Sequence, residues 1–325
     1  MTVDQTMERK RGATDNMCVV AVIVTYNPEP SILDSMLTAL QLQVDGVVIV
    51  DNGSLSHLAE MVEASAARFK CSTEMLSANA GIAVAQNRGI MRARSLLCRV
   101  PADRCYVLLL DHDSIPATDM VPRLLASDQR LRASGVHVGA VGPVSIDRRT
   151  GTHARFIVAG RLWLKRVPAC TDGNQVMRVD FLIASGTLVR SDVFDAVGVM
   201  DERLFIDHVD TEWCLRAAQQ DYAMFVVSGA FLSHSLGDEV IPIWTGRRRE
   251  VFVHSPLRDY YMCRNTLLVL RGNPIPIAWR AFLLGRMIGS IIFFGLGVAP
   301  RRIRLLRMWQ GVRDGLAGRG GARVF

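Results

Sequence analysis

Cys105-Tyr106-Val107-Leu108-Leu109-Leu110, closed by Asp111-His112-Asp113, is the stretch on which the fold turns. Its six apolar residues, with a helix pattern after them, read as a buried strand. Side chains at i and i+2 of an extended chain point the same way. The carboxylates of Asp111 and Asp113 therefore leave the strand's end on one face, where two like charges repel unless a cation sits between them. A hard divalent ion held by one or two carboxylates and by substrate phosphate oxygens relieves that repulsion. The pattern is that of an enzyme handling a nucleotide diphosphate.

Outward from this strand, strand and helix patterns alternate. Residues 19–25 form a predicted strand that ends in Tyr26-Asn27-Pro28, and a helix opens at Ser31. Residues 46–50 are a second strand, ending in Asp51-Asn52-Gly53-Ser54. A helix then runs to Arg68, a short strand covers 71–76 and a helix covers 79–94. Such alternation implies an α/β fold of Rossmann-like kind, a mostly parallel sheet flanked by helices. Ligands bind these sheets beyond the carboxyl ends of the strands. Asn27, Asp51 and Asp111 all lie at such ends and are expected to line one crevice. Further on, a strand over 179–184 leads into Ser185-Gly186-Thr187, a small-residue turn that would admit a ligand closely. A helix over 209–219 follows Asp207-His208-Val209-Asp210, and a strand over 223–232 precedes His234.

Composition bounds the class. Half of the 325 residues are hydrophobic, enough for a sizeable core. The seven cysteines are odd in number and include no C-x-x-C pair, which argues against a disulfide framework or a zinc site. Residues 1–16 are polar, without the apolar stretch of a signal peptide, and read as a disordered arm. The net charge of +7 is uneven: from Arg247 to Phe325 fifteen arginines face three acids, which leaves −5 on the rest. An anionic surface is the expected partner of the C-terminal part. Nucleic acid is not the expected one, because no basic-aromatic module appears and the strand-end acids would repel phosphate.

Thr25-Tyr26-Asn27-Pro28, Val50-Asp51-Asn52-Gly53-Ser54, Asn79-x-Gly81 with Asn87-x-Gly89, Asp111-x-Asp113 and residues 204–216 occur in that order. Together they resemble the GT-A glycosyltransferases of family 2, the inverting, nucleotide-sugar-dependent kind, over roughly residues 18 to 265. Residues 204–212 and Pro256-Leu257-Arg258-Asp259-Tyr260-Tyr261-x-x-Arg264-Asn265 resemble L-rhamnosyltransferases, including those of rhamnolipid synthesis. The resemblance implies a GT-A domain over 17–265. It also implies a dTDP-L-rhamnose donor and a glycolipid acceptor, mono-rhamnolipid first and a lipid-linked polysaccharide precursor as the alternative. A non-catalytic nucleotide-sugar-binding subunit is a further alternative, one that would not need Asp207.

Roles follow by resemblance for the matching residues. Thr25, Asn27, Asp51 and Asn79 belong to donor binding, Asp51 as the partner of the pyrimidine base. Turn chemistry is the alternative for Asp51, and a helix cap for Asn79. Asp111 and Asp113 hold Mg²⁺ or Mn²⁺ with the diphosphate, and His234 is the third ligand in a His-x-x-Gly pattern. Arg258 and Arg264 suit phosphate or an anionic lipid acceptor. Inversion needs a base that takes the acceptor's proton. Where relatives carry Glu-Asp-x-Asp, this chain has Asp207-His208-Val209-Asp210, so the base is Asp207, shifted by one residue, or its place is filled by His208. Asp210 serves as well for a helix cap, with Arg216 pairing to it or to phosphate.

The tail, 266–325, reads as a helical, apolar and basic appendage. Its uncharged run, 287–300, has fourteen residues and reaches roughly 21 Å, short of a ~30 Å hydrocarbon core. Arg301, Arg302, Arg304, Arg307 and Trp309 follow, as expected of a segment lying in the interface. A buried helix packed on the catalytic domain fits the same run. The expected location is cytoplasmic, peripheral on the inner face of the cytoplasmic membrane.

Overall fold

A computed structural model describes residues 17–160, 163–169, 175–234, 239–244, 248–272 and 274–323. The expected arm over 1–16 lies outside the described residues. The first half builds β1 (Cys18–Thr25), α1 (Pro30–Leu40), β2 (Gly46–Asp51), α2 (Ser56–Phe69), β3 (Ser72–Met75), α3 (Ile82–Leu96) and β4 (Cys105–Asp111). β3, β2, β1 and β4 lie side by side in parallel, as the alternation predicts. Every residue of β1 is buried, and its period of two sorts them. Val20, Val22 and Val24 enter one core layer with Val107 and Leu109, under α3. Val19, Ala21 and Ile23 enter the other with Tyr106, Leu108 and Leu110, under α1. Both faces are covered, which is why these strands carry unbroken apolar runs.

Beyond β4 come β5 (Ile115–Pro116), α4 (Met120–Ala133), β6 (Val138–Asp147), the hairpin β7 (Arg155–Ala159) and β8 (Leu164–Pro168), and β9 (Val176–Val179). Then follow β10 (Leu188–Arg190), α5 (Ser191–Val197), α6 (Val209–Ala218) and β11 (Ala223–His234). β10 runs antiparallel between β4 and β6, and β11 extends the sheet beyond β6. The strand expected over 179–184 is not formed. β9 ends at Val179, and the chain then crosses as irregular backbone that bonds across β4 through Gly186 N–H to Leu109 O and Leu109 N–H to Thr187 O. Gly186 has φ +86°, and a Cβ there would lie 2.5 Å from Pro143. Its small size admits a neighbouring strand.

The C-terminal part departs further from expectation. Residues 239–244 and 248–253 form a hairpin of β12 and β13, for which no strand was predicted. α7 (Pro256–Gly272), α8 (Ile277–Gly297) and α9 (Arg301–Leu316) follow. A domain boundary at 265/266 would cut α7 in its middle. Leu268, Val269, Trp279 and Leu283 belong to the same core as β1 and α3. α9 lies on α7 so closely that a Cβ on Gly311 would meet Tyr260 O at 2.3 Å, and one on Gly315 would meet Arg264 O at 2.7 Å. These helices are a docked part of the body, which an apolar run read alone does not reveal.

Candidate active site

Strand register brings the first cluster together. Thr25 stands opposite Asp51, and Val24 opposite Asp111, so the carboxyl ends of β1, β2 and β4 open into one crevice. Asp51 is buried and takes hydrogen bonds from Thr25 Oγ1 (2.8 Å), Ser54 Oγ (2.6 Å) and Ser54 N–H (2.8 Å). The Asp-Asn-Gly-Ser turn is thereby fixed as turn chemistry demands. Thr25 is fully buried with its hydroxyl bonded to Asp51, so it holds that carboxylate and offers no surface of its own to the crevice. Asn27, at φ +48°, accepts from Leu55 N–H at the exposed rim. Asn79 accepts from Asn52 Nδ2 and from Gly81 N–H, which ties the turn after β2 to the start of α3.

Asp111, Asp113 and His234 converge, their ligand atoms within 4.8 Å of one another, the one such group of acids and histidines among the described residues. The sequence assigned these three to a metal, and the structure brings them together from β4 and β11. Burial raises Asp111, and the neighbouring Asp113 adds to it, while His234, His112 and Arg258 work the other way. Burial acts to raise Asp113 too, but the His234 hydrogen bond and charge outweigh it and hold this carboxyl below its usual range. Two carboxylates and an imidazole, partly buried, are a donor set that suits Mg²⁺ or Mn²⁺. Asp111, Asp113 and His234 would hold such an ion, and it would supply neutralisation of charge on phosphate oxygens.

Two hydroxyls that the sequence reading did not single out as polar groups organise this cluster. Ser114, fully buried, contacts His234 Nδ1 at 2.8 Å and Ser185 Oγ at 2.7 Å. Ser185 Oγ in turn accepts from Asp111 N–H at 3.0 Å. Arg148 adds a bond to Asp113 O.

The second cluster sits on a strained loop. Phe205, Asp207 and His208 all have φ between +62° and +64°, a conformation costing an L-residue roughly 1–2 kcal/mol each. Strong grips hold it there. Asn265 Nδ2 lies within 3.0 Å of the carbonyls of Leu204, Ile206 and Asp207, and Arg264 Nη2 reaches Arg203 O and Leu204 O. At about 1 kcal/mol for each neutral bond and ~1.5–3 for each charged one, these bonds outweigh the strain. From the other side Ile82 N–H donates to Phe205 O at 2.7 Å. Gly81, at φ +94°, leaves no room for a Cβ, which would meet Phe205 at 2.5 Å. Asn87 bonds Met200 N–H and Met200 O, and also Glu202. The two Asn-x-Gly motifs of the 79–89 segment are thus the footing of the second cluster.

Within that cluster Asp207 is paired with Arg258 at 2.7 Å. His208 is buried and pushed down to about 4 by burial and by Arg286, against the pull of Asp207. The Thr266 hydroxyl spends its hydrogen on Met262 O, so His208 Nε2–H must donate to Thr266 Oγ1 at 3.0 Å. Neutral and held, His208 positions its neighbours. Burial raises Asp210 to about 6, with the charge of Asp111 adding to it and bonds from Ala184 N–H and Thr211 N–H opposing. Ala184 and Ser185, adjacent in the chain, hold Asp210 and Asp111 respectively. The two clusters therefore share a wall.

Two expectations are corrected. Arg264 is fully buried, stacked 4.7 Å from the Tyr261 ring centre and bonded to Asn265, Arg203, Leu204 and Gly321, so it serves the fold of the loop and does not reach diphosphate or lipid. Arg216 pairs with Glu212 and the carbonyls of Val197 and Val199, not with Asp210. In both cases the carbonyl partners come from distant segments that only the folded chain brings near, whereas Glu212 lies one helical turn from Arg216.

Known proteins resemble this chain in sequence and fold. Residues 20–195 match the family described as Glycosyl transferase family 2. A dTDP-rhamnosyl transferase RfbF of Shigella flexneri is 31% identical over 313 residues, spanning 95% of this chain and 99% of its own. Among solved structures, GalNAc-T7 with UDP, GalNAc and Mn²⁺ superposes with a TM-score of 0.55 at 14% identity, over 86% of this chain and 58% of that one. S. aureus TarS 1-349 in complex with UDP gives a TM-score of 0.51 at 14% identity, over 92% and 90%. At such identities these two structures speak to the GT-A-like fold alone.

Proposed function

The chain belongs to glycosyl transferase family 2 and is a glycosyltransferase, and from that premise we propose that it moves L-rhamnose, with inversion, from dTDP-L-rhamnose to a hydroxyl of a glycolipid. The observation that carries this reading is the shared wall: Asp111 of a cation-ready Asp111–Asp113–His234 group and Asp210 of the second cluster are held by successive residues of one loop. One cluster suits the leaving diphosphate and the other the incoming hydroxyl. The rhamnosyl donor is supported by the 31% identity to a dTDP-rhamnosyl transferase along nearly the whole chain.

On this reading Asn27, Asp51 and Asn79 border the nucleoside, while Asp111, Asp113 and His234 would hold the divalent ion. Asp207 takes the acceptor's proton, and Arg258 orients it. Mono-rhamnolipid is the first-choice acceptor and a lipid-linked polysaccharide precursor the second, both lipid-anchored. Incubation of the protein with dTDP-L-rhamnose and either mono-rhamnolipid or an undecaprenyl-diphosphate-linked sugar tests the reading. Extension of the first is expected. Extension of the second alone moves the assignment to the polysaccharide acceptor, and extension of neither, with dTDP bound, removes rhamnosyl transfer.

A further inference from the structure

The buried and exposed faces of α9 are reversed in character. Its inward face carries Arg304, ion-paired with Asp259, and Asp314, bonded to Tyr260, both buried. Its outward face carries Leu305, Leu306 (50% exposed), Trp309 (59%) and Leu316. α8 adds Leu284, Ile288, Ile292 (57%) and Leu296, spaced by four along its outer side. A soluble surface seldom gathers so many large apolar side chains in one patch. Arg301 and Arg302 are exposed beside them, and from 274 to 323 nine arginines face a single acid.

This combination selects the occupant. A second copy of the chain would set the patch against itself across a two-fold axis, bringing one guanidinium row against another. A neutral protein groove would leave those cations unanswered. Anionic headgroups above acyl chains satisfy both the apolar and the cationic groups.

The way the face meets lipid is also constrained. α8, with 21 residues, is long and apolar enough to cross a bilayer by length and composition, reaching about 31 Å at ~1.5 Å per residue. The fourteen-residue run therefore understated the helix. Yet Trp279, Leu283 and Met287 on its inner side are buried against the body, and Trp279 Nε1 donates to Asp180 at 2.8 Å. A helix with that side committed to the protein cannot be ringed by lipid. We propose that the α8–α9 pair docks the enzyme in the interface of an anionic phospholipid leaflet, without crossing it.

α8 also connects this face to the chemistry. Arg286, on the flank away from the Leu284–Ile288–Ile292 stripe, makes no hydrogen bond or ion pair among the described residues. The charges around it are Asp207, Asp210, Arg258 and Arg166. Resting on the glycolipid reading above, such docking would hold the crevice beside an acceptor anchored in the same leaflet.

The test uses the full chain and vesicles of phosphatidylglycerol with phosphatidylcholine. Wild type is expected to sediment with mixed vesicles and far less with phosphatidylcholine alone, and to be released by alkaline carbonate. Ile292→Glu with Leu306→Glu changes only exposed positions. It should keep the thermal midpoint, dTDP binding and turnover on a dispersed short-chain acceptor, while losing vesicle binding about tenfold or more. Wild type that ignores anionic vesicles, or forms a dimer that the variant abolishes, overturns the proposal. Retention after carbonate overturns it in favour of a spanning helix. Vesicle binding without rhamnosyl transfer would leave docking standing and remove the functional reading.

Discussion

Asp111 and Asp113 take their places from strand register, with β1 and β2 alongside and two serine hydroxyls behind. Asp207 and Asp210 take theirs from a loop with three left-handed residues, gripped by α3 on one side and by α7 on the other. The first arrangement is stiff because each ladder bond supports the next. The second depends on single side chains more than fifty residues away, and each is a point of failure. Within one crevice, the first acidic cluster is therefore built by secondary structure and the second by tertiary contacts.

The sharpest test of the stiff half is to remove its charge. Asp111→Ala should fold, since the strand keeps its register, and should lose donor binding and about 10³–10⁴ in turnover, several kcal/mol of charge stabilisation. Calorimetry with dTDP, with and without Mg²⁺ or Mn²⁺, reads the effect. Metal-independent affinity in the wild type would strip this half of its assigned task.

The next largest effect separates the two acids of the second half. Asp207→Asn should bind dTDP as wild type does and lose about 10²–10⁴ in turnover, with His208→Asn losing less. A dead Asp210→Asn beside an active Asp207→Asn would move the base three residues on. Asp210→Asn has a signature of its own in metal-free protein. Asp210 is raised in the fold to about 6, so the native state binds its proton more tightly than the unfolded chain does. Wild-type stability then falls as pH rises from about 4 to about 6, and Asn removes that loss. Because Asp210 keeps some solvent access, the variant should gain about 1–2 kcal/mol at neutral pH by denaturant titration.

The smallest effect compares the supports. Asn265→Ala removes the shared donor of three carbonyls and should cost about 2–3 kcal/mol, with turnover reduced about tenfold. Ser185→Ala, behind the first cluster, should cost about 1 kcal/mol and spare turnover more. Equal losses in the two variants would erase the proposed difference between the halves.

The same contrast accounts for what could be read in the chain itself. Asp111, Asp113, Asp51 and the parallel sheet were legible because an apolar run, its alternation and its terminal acid are local facts. His234 was placed with them by resemblance. Arg264 and Arg216 were misread because a guanidinium displays its charge in the sequence but not the carbonyls that use it. Ser114 was overlooked, a small polar residue with no pattern of its own. Gly81 and Asn87 carried a motif whose physical meaning appears only when Phe205 and Met200 arrive beside them. Strands β6 to β8 escaped notice, and the terminal helices were taken for an appendage, because apolar periodicity does not say which partner covers it.

One contact near the end of the described chain has a consequence in time. Gly321 N–H bonds Arg203 O, and Arg264 Nη1 bonds Gly321 O, so the segment leading into Asp207 is fastened by residues made more than a hundred positions later. During vectorial synthesis every acid of the crevice leaves the ribosome before its last fastening does. A nascent chain halted near residue 300 would carry these acids without the fastening at Gly321, which ties the shape of the second cluster to synthesis of the segment through that residue.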